Sequence, residues 1–267
     1  MTRRRFDRLR LIQKQINERP RLREWLTRLR HGARDLDVML FKRKIRINAL
    51  RENGYYRAAR LAHANSLLRD ETLVMQRVSM MLGDGVTFVD VGANIGIFSA
   101  VIADARRLFR DFRVVAFEAD PATFVRLEVN ARRFGFDAVN VALAAEAGEL
   151  DFATGAMSGI ATRRDKAGRA HIAGRGFTVA ARRLDSFDLP GRLVIKIDVE
   201  HMELDVLEGA RGLFEAGRVA AVYLDEFDDK AAVLDFLGAR GFELLAPLRL
   251  NPFSPGRRAL FAVRRDG

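Results

Sequence analysis

The chain has 267 residues, 49% hydrophobic and 30% charged, a globular composition that excludes a largely disordered polymer. With no cysteine it has no disulfide framework, thiolate zinc site or cysteine nucleophile, and its four histidines include no pair at the i,i+4 spacing of a helical metal site. Its net charge of +11 is unevenly placed: residues 1–60 hold 19 basic and 6 acidic side chains, while the rest holds 27 basic and 29 acidic.

The basic front starts Met1-Thr2-Arg3-Arg4-Arg5-Phe6, but Arg, Asp and Gln then alternate with Leu and Ile, so the apolar region of a signal peptide is missing. No run approaches the roughly 18–20 apolar residues of a membrane span. The expected location is cytoplasmic, with a peripheral position at the inner membrane face left open. Phe6, Leu9, Ile12 and Ile16 recur at helical spacing, and Leu22, Trp25, Leu26 and Leu29 continue it after Pro20. Residues 1–69 are therefore expected to form a basic helical extension. It is either an amphipathic surface for anionic lipid, nucleic acid or an acidic partner, or a helical cap whose charges stay in water. Forty of the 46 basic residues are arginines spread throughout the chain, so arginine usage alone does not indicate phosphate recognition.

A second domain is expected over residues 70–267. Asp70 is an N-cap candidate for a helix through about Met81, ended by Gly83-Asp84-Gly85. A strand at Val86–Val91, a helix over about 95–107, a strand at Arg113–Phe117 and a helix from Pro121 to Phe134 follow, with proline at a helix-start position. A short strand is expected near Val139–Ala142, then strands at Leu150–Ala153 and Phe177–Ala181 around a Gly- and Arg-rich stretch, Gly155–Gly176. Leu193–Ile197 is an apolar strand interrupted only by Lys196, and a helix follows through about Phe214. Ala220–Leu224 (strand), Lys230–Ala239 (helix) and two strands, Phe242–Leu245 and Ala259–Val263, complete the order. Short apolar strands alternating with helices indicate an α/β fold with a mostly parallel sheet covered on both faces. The last two strands lack a helical crossover and must pair antiparallel. The expected architecture is a Rossmann-like sheet ending in an antiparallel strand.

The first of these strands runs into Asp90-Val91-Gly92-Ala93-Asn94-Ile95-Gly96 and then a helix. Gly92 and Gly96 allow close backbone approach to a ligand, and the helix start offers free N–H groups at its positive dipole end. Their spacing departs from the G-x-G-x-x-G dinucleotide pattern. Glu118 ends the next strand, 28 residues beyond Asp90, and is placed to accept hydrogen bonds from two ribose hydroxyls.

Phe88-Val89-Asp90-Val91-Gly92-Ala93-Asn94-Ile95-Gly96-Ile97-Phe98 resembles the first motif of the FkbM family of S-adenosylmethionine-dependent methyltransferases. Phe117-Glu118-Ala119-Asp120-Pro121 is similar to its second motif, and Asn140-Val141-Ala142-Leu143 to its third-strand pattern. Ile195-Lys196-Ile197-Asp198-Val199-Glu200, followed by Glu203, Val206, Leu207, Glu208, Gly209 and Ala210, resembles the signature after its fourth strand. The resemblance covers about residues 70–230, with His201 standing where the family usually has Gly. It implies a class I methyltransferase fold, S-adenosylmethionine as cofactor, and methyl transfer to a hydroxyl, often of a sugar or a secondary metabolite. On this reading Asp90 and the Gly92–Gly96 loop, with Asn94, hold the methionine part, Glu118 takes the ribose, and Asp120 approaches the adenine. Asp198 and Glu200 are candidates for substrate positioning and general base, with His201 as a further base candidate.

Each assignment has a plainer alternative. Asp198 and Glu200 could cap the helix after them, and His201 could be a surface residue. Asp225-Glu226 and Asp228-Asp229 could bind a divalent cation with Asp198 or serve as helix caps, and the caps are the expectation, so no metal is assigned. Arg163, Arg164, Arg169 and Arg175 could recognise an anionic substrate or belong to a loop. The Asn/Asp-Pro-Pro-aromatic run that marks exocyclic-amine methylation is missing. The expected function is O-methylation of a small-molecule or glycan acceptor. The alternatives are an RNA methyltransferase with a basic arm, weakened by an aromatic set of little more than Trp25, Tyr55 and Tyr56, and a non-catalytic scaffold on a membrane surface.

Overall fold

The computed structural model describes residues 19–60, 66–154, 161–163, 176–225, 230–249 and 258–264. The expected helix through Phe6–Ile16, residues Arg164, Arg169 and Arg175, the run Glu226–Asp229 and the loop with Pro252 and Pro255 lie outside them. The chain divides into two compact units at Leu68/Arg69.

The described part of the first unit is helix α1 (Pro20–His31), strands β1 (Asp35–Leu40) and β2 (Arg43–Asn48), and helix α2 (Asn53–Arg60). The expectation of a purely helical extension therefore fails at residues 35–48, which form an antiparallel hairpin with Leu40 paired to Arg43. Its two-residue turn places Phe41 and Lys42 at φ 47° and 60°. That is the left-handed pair of a type I′ turn, whose backbone twist matches the strands it joins. Leu40, Ile45 and Ile47 are buried and Met39 and Lys44 exposed, a period of two rather than 3.6. The Asn48 side chain links the hairpin to the turn that follows it: its Nδ2 donates to Asp35 Oδ1 at 2.8 Å and its Oδ1 accepts from the Leu50 N–H at 3.1 Å.

Helix α3 (Ser66–Ser79) starts a turn before Asp70, so the division at Leu68/Arg69 falls within its first turn. There follow β3 (Val86–Val91), α4 (Ile97–Ile102), a 3-10 turn (Ala103–Arg107), β4 (Arg113–Glu118), α5 (Pro121–Phe134), β5 (Asp137–Asn140), β6 (Ala142–Leu143), β7 (Gly148–Thr154), β8 (Ala161–Arg163) and β9 (Gly176–Arg182). The chain closes with β10 (Arg192–Ile197), α6 (Glu203–Gly209), α7 (Arg211–Glu215), β11 (Val219–Leu224), α8 (Lys230–Gly238), β12 (Phe242–Arg249) and β13 (Arg258–Arg264). The main sheet has seven strands in the order β12-β13-β11-β10-β3-β4-β5. β13 runs antiparallel to both β11 and β12, and the pairs from β11 through β5 are parallel. β3, β10 and β11 read as apolar runs because helices cover both sheet faces; β3 and β11 are buried at every position.

Two expected elements divide. The strand near Val139–Ala142 splits at Val141, where the chain leaves the main sheet to start a second sheet, ordered β6-β9-β7-β8. Phe152 and Phe177 stack across β7 and β9 with centroids 5.4 Å apart. The helix expected through Phe214 breaks at Ala210, next to Gly209, where a Cβ would lie 2.1 Å from the Ala144 carbonyl oxygen.

Candidate active site

Strand order reverses at β3: β4 and β5 lie to one side, β10 and β11 to the other. In an open α/β sheet the helices leave that point in opposite directions and open a crevice beyond the carboxyl ends of the strands. All nine site residues expected from the sequence lie at or just beyond those ends. Asp90 is the last residue but one of β3, and Gly92, Asn94 and Gly96 follow that strand; Glu118 ends β4 and Asp120 follows it; Asp198, Glu200 and His201 follow β10. Backbone bonds tie the three ends together: Gly92 and Ala93 N–H groups donate to Phe117 O at 3.0 and 2.9 Å, and the Asp198 N–H donates to Val91 O at 3.0 Å.

Beneath the crevice runs a buried polar row. Asp90, Lys196 and Tyr223 are register partners on β3, β10 and β11, so their side chains share one face. Lys196, 3% exposed, donates to Asp90 Oδ1 at 3.1 Å and to Asp198 Oδ2 at 3.2 Å, and its ammonium lies 5.0 Å from the Phe98 ring centroid. Ser99 Oγ donates to the other Asp90 oxygen at 2.7 Å. Burial alone would push the lysine down, but the carboxylates of Asp198, Asp90 and Glu71 outweigh it and hold Lys196 above its ordinary value, fully charged. Tyr223 donates to Asp225 Oδ1 at 2.7 Å, and burial, reinforced by that carboxylate, pushes its phenol upward and keeps it neutral. From sequence, Lys196 looked only like an interruption in an apolar strand. An isolated lysine in a buried strand, opposite an aspartate, was the available signal for a counter-ion.

The turns after β3 and β4 are organised around Glu118, which is buried. Its Oε2 accepts from the Asn94 N–H at 2.9 Å and its Oε1 from the Asp120 N–H at 2.8 Å. Burial, only partly offset by these two bonds, raises its carboxyl to about 7. Each oxygen keeps a second lone pair, so acceptor capacity for a ribose diol remains. Asn94 has φ 53°, and its Oδ1 is buried without a partner among the described residues. An orphaned acceptor beside a buried carboxylate is the feature expected of a loop completed by a polar ligand. Asn140, at the end of β5, braces the turn by donating to Glu118 O at 2.7 Å.

At three places the structure shows a local role beside the expected one. Gly92, at φ 70°, is needed because a Cβ there would lie 2.0 Å from the Asp198 carbonyl oxygen; Gly96, at φ 77°, would meet Leu127 Cδ1 at 2.5 Å. Both glycines are thus explained by chain packing. Asp120 is the N-cap of α5, with one oxygen accepting from the Ala122 N–H and the other from Thr123 Oγ1, each at 2.9 Å. His201 is exposed at φ 63°, a left-handed conformation that glycine adopts without strain. The departure from the family pattern therefore falls where glycine is favoured by the backbone.

Asp198, with 49% of its side chain exposed, and exposed Glu200 stand at the rim above Lys196. The first helix after them begins at Glu203 and has no side-chain cap, so neither carboxylate is engaged as its N-cap. Among the described residues no cluster of His, Cys, Asp and Glu could hold a metal ion.

The model of the FkbM methyltransferase domain matches residues 90–244. No curated protein matches the chain. Among solved structures, a precorrin-6y C5,15-methyltransferase from Geobacter metallireducens is 15% identical at TM-score 0.42, over 74% of this chain and 88% of that one. A tRNA (uracil-54, C5)-methyltransferase from Pyrococcus abyssi, in complex with S-adenosyl-L-homocysteine, is 11% identical at TM-score 0.48, over 87% and 45%. Magnesium protoporphyrin IX methyltransferase from Synechocystis PCC 6803 is 12% identical at TM-score 0.40, over 81% and 93%.

Proposed function

The chain belongs to the FkbM methyltransferase family and is an S-adenosylmethionine-dependent methyltransferase; from that premise we propose that it methylates a hydroxyl oxygen of a carbohydrate or related metabolite. When bound, the cofactor supplies a methyl group activated by its sulfonium. The protein must hold the donor, orient an acceptor oxygen and accept its proton. Glu118 would accept from the ribose hydroxyls and the Asn94 side-chain oxygen from a donor group of the cofactor, while the chain beyond Asp90 borders its methionine portion.

The observation that carries the acceptor side is the tether between Lys196 and Asp198. A half-exposed carboxylate, fixed from below by a buried ammonium at 3.2 Å and bordering the Gly92 turn, is a preorganised hydrogen-bond acceptor for a hydroxyl. Asp198 and exposed Glu200 divide between them orienting that hydroxyl and taking its proton. The Lys196 ammonium keeps Asp198 in place through the transfer.

Calorimetry with the methyl donor and a methyl-transfer assay separate the two sides. Glu118→Gln is expected to weaken donor binding by about tenfold or more. Asp198→Asn is expected to keep donor affinity and lose roughly a hundredfold or more in turnover. Wild-type turnover in Asp198→Asn would remove that residue from the mechanism.

A further inference from the structure

Helix α1 is mounted with its polar side inward. Thr27 is buried and its Oγ1 accepts from Asn53 Nδ2 at 2.7 Å, while His31 Nε2 lies 2.6 Å from the Tyr56 hydroxyl, so the face carrying both meets α2. On the other side Leu22, Trp25, Leu26 and Leu29 are 37%, 58%, 38% and 73% exposed. At 3.6 residues per turn these four share an arc of about 100°, the width of the stripe an ordinary helix buries in a core. Here that stripe points away from the residues its own unit packs. Arg28 and Arg30, both exposed, fall on opposite flanks of the arc, and the helix has no acidic residue in its first turn.

We propose that α1 lies in the interface of an anionic lipid bilayer, with Leu22, Trp25, Leu26 and Leu29 inserted among the acyl chains and the flanking arginines at the headgroups. The charge argues for this occupant: residues 1–60 carry a net +13 while the remainder carries −2. A polybasic segment beside an apolar stripe gains from anionic lipid on both counts, through area removed from water and through attraction to the surface potential. Arginine side chains at the flanks extend their apolar stems along the stripe and keep their charge in the headgroups. No helix among the described residues is long and apolar enough to cross a membrane. An acceptor presented at that surface would meet an enzyme held there.

Trp25 is the only tryptophan of the chain, so its fluorescence reports this helix alone. The full-length protein is titrated with vesicles of phosphatidylcholine and of phosphatidylcholine mixed with phosphatidylglycerol. The proposal predicts a blue-shifted emission and co-sedimentation with the mixed vesicles only, weakened by added salt. Leu26→Asp and Leu29→Asp are each expected to lower vesicle affinity roughly tenfold and to leave donor binding, measured on the same samples, unchanged. Three results would overturn it: no shift with either vesicle, an equal shift with neutral vesicles, or a lipid-free shift that rises with protein concentration alongside a doubled mass, which would assign the stripe to a second copy. Donor binding is read independently, so loss of vesicle binding and failure of the methyl-transfer reading are distinguishable.

Discussion

The two halves of the crevice treat their carboxylates in opposite ways. On the half we assign to the methyl donor, Asp90, Glu118 and Asp120 are buried and each accepts from protein donors: a lysine and a serine, two backbone N–H groups, or the first turn of α5. On the half we assign to the acceptor, Asp198 and Glu200 are exposed, and Asp198 is held by the buried ammonium that also serves Asp90. The donor half is thus part of the fold's own polar framework, as suits a site for one constant ligand. The acceptor half is a rim, whose side chains can change with little consequence for stability. Lys196 belongs to both.

This contrast is most easily broken at Lys196. Lys196→Met leaves Asp90 buried without its counter-ion, and a fall in stability of about 3–5 kcal/mol is expected in urea unfolding. A loss below about 1 kcal/mol would mean that Asp90 does not need the ammonium. Glu118 supplies the next largest effect, read against pH. Its carboxyl titrates near about 7 in the folded chain against 4.5 ordinarily, so between those values the native state holds the extra proton. Stability from this group is fully present below the lower value and is lost as pH rises through the upper one, by an amount on the order of 3 kcal/mol. The difference between wild type and Glu118→Gln, followed by urea unfolding from pH 5 to 8, should carry that slope. A flat difference would show that Glu118 is ionised throughout. The smallest effect belongs to the rim. His201→Gly relieves a left-handed residue at φ 63° and is expected to stabilise the chain by roughly 0.5–1 kcal/mol with turnover unchanged. Collapse of turnover in a folded variant would instead make the imidazole part of the chemistry.

Much of the second unit was legible in the residues because pattern and packing agree there. Val86–Val91 is buried at every position, and α5 begins at Pro121, as the proline at its start implies, and ends at Phe134. The hairpin of the first unit is not legible, because local chemistry gives no warning of it. Phe41-Lys42 adopts a turn that Asn-Gly would announce, and Asn48 organises the hairpin exit by contacts invisible along the chain. At the site, Asp90, Asn94 and Glu118 were identifiable as a set because strand, turn and helix succeed one another in order. Lys196, Ser99 and Asn140 are not, because their value lies in partners on other elements, 106, 9 and 22 residues away. The close approach implied by Gly92 includes one to the Asp198 carbonyl, a contact the sequence does not show.

The most direct test of the central claim is transfer of a labelled methyl group from the donor to a cell extract, with the product identified after hydrolysis, for wild type and Asp198→Asn side by side. The account predicts label in an O-methylated sugar or related hydroxyl compound, lost in Asp198→Asn while calorimetry shows the donor still bound. Label in RNA or protein, or an equal yield from the variant, would contradict it.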